Sequence, residues 1–331
     1  MWQNNKGQVI IPTGGGKTIC MIDDAITNME VRHHGQTFVV VAPRILLAEQ
    51  LCKEFLELLS PGHNAHVMHV HSGDVEHFHT TKPEQIHMFA NVARTAGENC
   101  IIFTTYHSLH RVQEADIEVN SIYFDEAHNS VQRNFFPATE FFSNESDRCY
   151  FFTATPKHSL SVFKPGMNDT AVYGNVICNV PAPQLVEEGY ILPPKVVVQQ
   201  LPQGDFKQSD EQNLLDTIDA NSLNKILVAA RSTKQIVRLV SQSDFCRQLE
   251  DRGYNWMYIT SKTGAIINGK KVSREQFFKT LNQWGQDDTR FVIMHHSILS
   301  EGINVKGLEA VLFMRNMDYI GISQSIGRVI R

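Results

Sequence analysis

The sequence predicts an α/β chain of two tandem domains, each a mostly parallel sheet flanked by helices. Three observations predict it. Short apolar runs alternate with amphipathic stretches, the pattern of βαβ units. The alternation breaks after Thr155, where Pro156, Pro165, Pro181, Pro183, Pro193 and Pro194 punctuate a weaker periodicity, and it resumes near Lys225. The length, 331 residues with 42% hydrophobic content, is enough for two ordinary cores.

In the first half the strand candidates are Gln8–Ile11, Thr37–Ala42, His66–His71, Cys100–Thr104, Ser121–Phe124 and Cys149–Thr153. They are short, apolar and bounded by turn residues, as buried parallel strands are. Helices are expected between them, notably Lys17–Glu30 and Ile45–Leu59. In the second of these, Leu47, Leu51, Phe55 and Leu58 form one apolar stripe at three- and four-residue spacing. In the second half, Lys225–Ala230, Met257–Thr260, Phe291–Met294 and Ala310–Met314 read as strands. Lys234–Asp251 and Ser273–Trp284 read as helices, and Ser261–Lys271 as a solvated loop. The expected domains are residues 1–182 and 183–331, the second including a connector over 181–222.

Composition excludes some classes and leaves others open. No run of about 18 apolar residues is present, so no membrane span is expected. Residues Met1–Gly7 are polar and do not read as a secretory signal. The six cysteines are scattered without a C-x-x-C pair, which fits a reducing compartment and argues against zinc. The net charge of −5 is that of an acidic enzyme, but a nucleic-acid track needs only a local row of donors. Histidine is abundant, with 15 residues. His69 and His71 alternate on one strand face, and are expected to be partly exposed rather than metal ligands, because no Cys or carboxylate completes a ligand spacing.

Two segments carry chemistry. Pro12-Thr13-Gly14-Gly15-Gly16-Lys17-Thr18 follows a strand and opens a helix, the context of a phosphate-binding loop. Its glycines let backbone N–H groups approach phosphate closely, and the helix N-terminus adds positive potential. Lys17 would hold the β- and γ-phosphates, and Thr18 would give its hydroxyl to Mg²⁺. Asp125-Glu126-Ala127-His128 ends a strand downstream of that loop. Asp125 can reach Mg²⁺ there, and Glu126 is placed to orient and deprotonate an attacking water.

Taken together the segments resemble superfamily 2 helicases. Pro12–Thr18 resembles motif I, Asp125–His128 spells the DEAH of motif II, and Thr153-Ala154-Thr155 resembles motif III. Ala42-Pro43-Arg44 with Leu47 and Gln50 resembles motif Ia, and Thr104–Leu109 the next strand-contacting motif. Ser300-Glu301-Gly302-Ile303-Asn304 resembles motif V, and Gln324-Ser325-Ile326-Gly327-Arg328-Val329-Ile330-Arg331 has the Q-x-x-G-R-x-x-R pattern of motif VI. Leu185–Pro194 resembles the connector of the branch that holds type I and type III restriction motors and phage DNA helicases. The order of the segments matches along nearly the whole chain.

The resemblance implies two RecA-like domains with ATP in the cleft between them. The first would supply Thr13, Gly14, Gly15, Gly16, Lys17, Thr18, Asp125 and Glu126. The second would supply Gly302 and Asn304 for the nucleotide, Gln324 as γ-phosphate sensor, and Arg328 and Arg331 as arginine fingers. His128, Thr153 and Thr155 would couple hydrolysis to the track. Arg44, Thr105 and Lys262 would contact nucleic acid, mainly phosphate and sugar. The partner implied is DNA, single-stranded or duplex, with RNA as the alternative, in the cytoplasm of a bacterial or phage-infected cell. A motor that pumps duplex DNA without opening it, and a nucleotide-gated clamp that turns over poorly, are the competing functions.

Some positions depart from the family pattern. His296 stands where motif V commonly has threonine, and Asn304 where an aspartate is usual. Arg331 is the last residue, so its own carboxylate would offset its guanidinium. A fragment or a truncated reading frame is the expectation.

Overall fold

The computed structural model describes residues 3–32, 35–161, 163–191, 208–260, 263–296 and 307–314. The chain divides into two compact units, Met1–Glu187 and Glu188–Arg331.

The first unit is built on seven strands: β1 (Lys6–Ile10), β2 (Thr37–Ala42), β3 (Ala65–Val70), β4 (Asn99–Thr105), β5 (Ser121–Phe124), β6 (Arg148–Thr153) and β7 (Val176–Asn179). Their order is β3-β4-β2-β5-β6-β1-β7, and every pairing is parallel. A parallel sheet must be covered on both faces, and the strands show it. In β2, Val39 and Val41 join one core with Ile102 and Phe124, while Phe38 and Val40 join the other with Phe103 and Tyr123. Helices α1 (Lys17–Val31) and α2 (Ile45–Leu58) cover the second face through Met21, Leu51 and Phe55. Helices α3 (Pro83–Thr95), α4 (Leu109–Glu114) and α5 (Phe136–Glu145) cover the first through Ile86, Val112 and Phe142. Two short helices follow, α6 (Thr170–Tyr173) and α7 (Ala182–Glu187). Leu185 of α7 is buried, and its Cδ1 would lie 2.8 Å from a Cβ added at Gly15.

The second unit contains α8 (Asp210–Asn221), β8 (Lys225–Ala229), α9 (Thr233–Ser241), α10 (Phe245–Asp251), β9 (Asn255–Thr260), β10 (Gly264–Ile267), β11 (Lys270–Val272), α11 (Arg274–Gln286), β12 (Phe291–His295) and β13 (Ala310–Phe313). The sheet order is β11-β10-β9-β12-β8-β13. The four strands β9, β12, β8 and β13 are parallel, and β10 and β11 add an antiparallel hairpin at one edge. Each unit is thus a sheet flanked by helices, the first wholly parallel and the second mixed.

Three expectations need correction. The segment read as a solvated loop over Ser261–Lys271 is this hairpin in its described part. Its turn is Asn268-Gly269, with φ of +45° and +78°, the backbone that an Asn-Gly pair supplies at least cost. The single helix expected over Lys234–Asp251 is two, α9 and α10. Ser243 separates them: its Oγ donates to the Leu239 carbonyl and accepts the Phe245 N–H, competing with the helical ladder. His69 and His71 are buried, not partly exposed. The segment after β3 returns to its edge, where the His69 N–H donates to the Phe78 carbonyl and the Thr80 N–H to the His69 carbonyl.

Candidate functional site

Because β1 to β7 are parallel, the connections after their C-terminal ends gather on one edge of the sheet. That edge is where open α/β sheets bind ligands. Four expected segments follow those ends: residues 11–16 after β1, Arg44 after β2, Asp125–Asn129 after β5, and Thr155 after β6.

The loop after β1 is shaped by its glycines. Gly14 and Gly16 adopt φ of +86° and +92°. Gly15 is required for a different reason: a Cβ there would lie 2.5 Å from Ile11 Cγ2 and 3.1 Å from the Pro12 carbonyl. The Gly15 N–H closes the turn on that carbonyl at 3.0 Å, and α1 begins at once, with the Cys20 N–H on the Gly16 carbonyl at 3.1 Å. The first N–H groups of α1 therefore face outward with no intrahelical acceptor, as at any helix start. Lys17 Nζ lies 3.8 Å from Glu126 Oε1, with both side chains about nine-tenths buried.

The β5 end is held from beneath. The Asp125 N–H donates to the Val41 carbonyl at 2.8 Å, and the Tyr106 hydroxyl donates to the Asp125 carbonyl at 2.8 Å. Glu126 takes a left-handed conformation, φ +46° and ψ +52°, and starts a 3-10 turn over Ala127–Asn129. This is strained for a residue with a Cβ, and it aims the carboxylate back toward Lys17. Burial, with the repulsion of Glu126, raises the Asp125 carboxyl well above the usual carboxylate range, against the pull of Lys17. Glu126 Oε2 is buried without a hydrogen-bond partner. His128 Nδ1 lies 3.5 Å from that oxygen and 3.0 Å from Thr153 Oγ1. Thr153 Oγ1 also accepts the Thr155 N–H at 3.1 Å, and Thr155 Oγ1 is buried without a hydrogen-bond partner.

These groups fit a magnesium nucleotide. The Thr18 hydroxyl and the Asp125 carboxylate are hard oxygen donors of the kind Mg²⁺ prefers. The glycine cradle, which a Cβ at Gly15 would fill, suits phosphate. A cation beside Asp125 would remove the electrostatic cost that now raises its carboxyl.

The structure therefore brings together Thr13 to Thr18, Asp125, Glu126, His128, Thr153 and Thr155. Arg44 stands at the N-cap of α2. Thr105 ends β4 opposite Ala42, and is buried. Lys262, Gly302, Asn304, Gln324, Arg328 and Arg331 lie outside the described residues.

Sequence reading missed two groupings. One is a buried network under α1: Asp24 Oδ1 meets Arg148 Nη2 at 2.6 Å, and Asp24 Oδ2 accepts the Tyr123 hydroxyl at 2.8 Å. An acid at i+3 from Met21, on the apolar stripe of α1, was the signal. The other is a pocket of about 610 Å³ in the second unit, lined by Arg231, Lys234, Arg238, Gln235 and Thr263. Arg231 and Arg238 stand 3.7 and 3.8 Å from Asp210, which also accepts from Gln235 Nε2 at 2.6 Å.

The class defined by this fold and site is a phosphate-loop α/β protein with an acidic strand end beside the loop. Comparison with known proteins narrows it. Residues 2–158 match the family of the type III restriction enzyme res subunit. The match lies within the first unit. No curated protein matches the chain's sequence.

Among solved structures, the ATP-dependent type ISP restriction-modification enzyme LlaBIII, bound to DNA, aligns over 100% of the chain and 25% of its own, at 18% identity and a TM-score of 0.77. A nuclease-deletion mutant of the type ISP enzyme LlaGI with a DNA substrate mimic aligns over 99% of the chain and 25% of its own, at 18% identity and 0.65. Dbp5 of S. cerevisiae, bound to RNA and ADP BeF3, aligns over 98% of the chain and 75% of its own, at 12% identity and 0.58. The chain spans about a quarter of the two restriction enzymes. Likeness at this identity establishes the fold, two RecA-like units.

Proposed function

We propose that this chain is an ATP-dependent motor that moves along nucleic acid, with DNA the favoured track. The observation that carries the reading is the pairing of Lys17 with Glu126 at 3.8 Å, beside a second Glu126 oxygen that is buried and unbonded. A carboxylate oxygen left open in that place can accept a hydrogen bond from a water, and Lys17 is positioned to hold the phosphate that the water would attack.

In this reading Thr13 to Gly16 cradle the phosphates, while Thr18 and Asp125 hold Mg²⁺. When bound, the cation draws charge from the phosphate oxygens. Glu126 orients the water and takes its proton. His128 and Thr153 pass the state of that carboxylate to the end of β6. Gln324, Arg328 and Arg331 would complete the site as sensor and arginine fingers, and Gly302 and Asn304 would meet the nucleotide. The domains in this reading are residues 1–182 and 183–331.

Arg44, Thr105 and Lys262 are proposed along the track. Arg231, Lys234 and Arg238 add a basic pocket suited to phosphate. A bacterial or phage-infected cytoplasm would supply both track and fuel. No helix among the described residues is long and apolar enough to cross a membrane.

One second reading has its own support. The likeness to LlaBIII, described as an ATP-dependent restriction-modification enzyme bound to DNA, supports DNA as the track, and in this second reading the motor would move along duplex without separating it. The test is phosphate release with no nucleic acid, single-stranded DNA, duplex DNA and RNA, with Lys17→Ala as the blank. Stimulation by one of these, absent in the variant, would establish the motor and name its track. Stimulation by duplex but no displacement of a labelled strand would favour translocation. No hydrolysis with any of them would sink the reading and leave the nucleotide-gated clamp.

A further inference from the structure

One segment of the first unit has no part in the nucleotide site and an unusual surface. The connection after β6, described over residues 156–161 and 163–166, carries Leu160 and Phe163 at 107% and 92% exposure. Large apolar side chains normally fold back onto the protein, and those presented to water in a cluster mark contact surfaces.

This loop is held in shape. Asn168 bridges its two arms, its Oδ1 accepting the Ser159 N–H at 2.8 Å and its Nδ2 donating to the Ser159 carbonyl at 2.9 Å. Ser159 Oγ donates to the Ser161 carbonyl, and Ser161 Oγ accepts the Phe163 N–H. The neck is closed by the Met167 N–H on the Lys157 carbonyl at 2.8 Å, and Gln8 in β1 donates to the Met167 carbonyl at 2.9 Å. Gly166 packs so closely that a Cβ would lie 2.4 Å from the Ser159 nitrogen.

Charge suggests what the tip meets. Lys157, His158 and Lys164 flank the two apolar residues and are exposed. No Asp or Glu occurs between Arg148 and Asp169. The loop springs from the Thr153–Thr155 segment, on the sheet edge that also carries Arg44 and Asp125. An aromatic and an aliphatic tip between cations has the chemistry of a single strand: bases stack on the apolar groups, and phosphates meet the lysines.

We infer that the described residues of this loop, 156–161 and 163–166, form a base-contacting finger, with Leu160 and Phe163 packing against unpaired bases of a single-stranded track and Lys157 and Lys164 meeting its phosphates. The inference rests on the motor reading and adds the element that touches bases.

The test uses the full chain and a short fluorescent oligo-dT strand. The Leu160→Ala, Phe163→Ala double variant should bind the strand about tenfold more weakly, the loss expected for one or two stacked bases. Its hydrolysis of ATP without nucleic acid should be unchanged. Phe163→Trp should restore affinity, and the added tryptophan emission should be quenched by the strand. A wild-type chain that binds the strand, with a double variant that binds it equally, would overturn the finger and leave the motor reading standing. A wild-type chain that binds neither oligo-dT nor duplex would overturn the motor reading. Unquenched emission from the Phe163→Trp variant, alongside loss of self-association in the double variant, would assign the tip to a protein contact and overturn the proposal. Because both side chains are exposed, the variants should melt as the wild type does.

Discussion

His128 donates through Nδ1 to the Thr153 hydroxyl at 3.0 Å, linking the turn that carries Glu126 to the last residue of β6. The tautomer follows from its other nitrogen. Asn129 Nδ2 lies 3.3 Å from His128 Nε2 and can only donate, so Nε2 accepts and the proton sits on Nδ1. That N–H also faces Glu126 Oε2 at 3.5 Å. In the proposed motor a gain or loss of charge on Glu126 would be felt at Thr153 through this histidine. His128→Ala and Thr153→Ala should each lower nucleic-acid-stimulated hydrolysis more than unstimulated hydrolysis. Their stabilities in a double-mutant cycle should couple by about 1 kcal/mol, the worth of one neutral hydrogen bond. Purely additive effects would break the link.

Lys17 and Glu126 should separate binding from chemistry. Glu126→Gln keeps the shape of the side chain and removes its basicity. Turnover should fall by about 10² to 10⁴ while nucleotide affinity holds. Lys17→Ala removes the cation proposed to hold the phosphates and should weaken nucleotide binding itself. Equilibrium binding of a fluorescent ATP analogue with a phosphate-release assay distinguishes the two. A Glu126→Gln chain that turns over at the wild-type rate would remove this carboxylate from the mechanism.

Much of this arrangement was legible in the sequence because it is local. Thr37–Ala42 and Ser121–Phe124 are strands over their expected limits, since an apolar run between turn residues can do little else. Lys17, Thr18, Asp125 and Glu126 could be placed at a loop and a strand end because sequence order defines both. What sequence hid is set by packing between distant residues. Arg148 meets Asp24 across 124 positions, and no periodicity announces such a pairing. The edge strand β7 was missed because Val176–Asn179 is short and half exposed. The Asn268-Gly269 hairpin was readable from its turn residues, but Lys270 and Lys271 suggested solvent instead. The burial of His69 and His71 depends on the segment that returns along the sheet edge, where backbone bonds hold Phe78 and Thr80 to His69 and the His77 ring stacks on it.

The Asp24–Arg148 pair makes an asymmetric prediction. Both side chains are buried, and Asp24 also holds Tyr123. Removing either partner of such a pair typically costs about 3–5 kcal/mol. Burial raises the Asp24 carboxyl despite Arg148 and Tyr123, so in Arg148→Ala the acid can escape by taking a proton. In Asp24→Ala the guanidinium cannot, and its Nε already lacks a hydrogen-bond partner. Asp24→Ala should therefore be the more damaging change, and Asp24→Asn intermediate. Urea midpoints at neutral pH measure the order, and a larger loss in Arg148→Ala would contradict it.

His69 and His71 should make the first unit sensitive to acid. The Gly73 N–H donates to His71 Nδ1 at 3.2 Å, so His71 carries its proton on Nε2 and gives it to His69 Nδ1 at 3.1 Å. A second proton on either ring would break the chain of bonds. Burial, aided by repulsion from His71, His77 and His79, lowers His69 to about 4, and burial with His79 also lowers His71. The sign follows. Below the unfolded value of about 6.5 the unfolded chain binds protons that the folded chain refuses. Stability is therefore full above about pH 6.5 and falls as pH drops toward 4, by about 1.4 kcal/mol per pH unit for each histidine engaged. Urea unfolding between those limits should show that slope. His69→Phe, which fills the site beside Phe103 without a titrating group, should reduce it by the share of His69 and leave that of His71. The same slope in His69→Phe would place the acid sensitivity elsewhere.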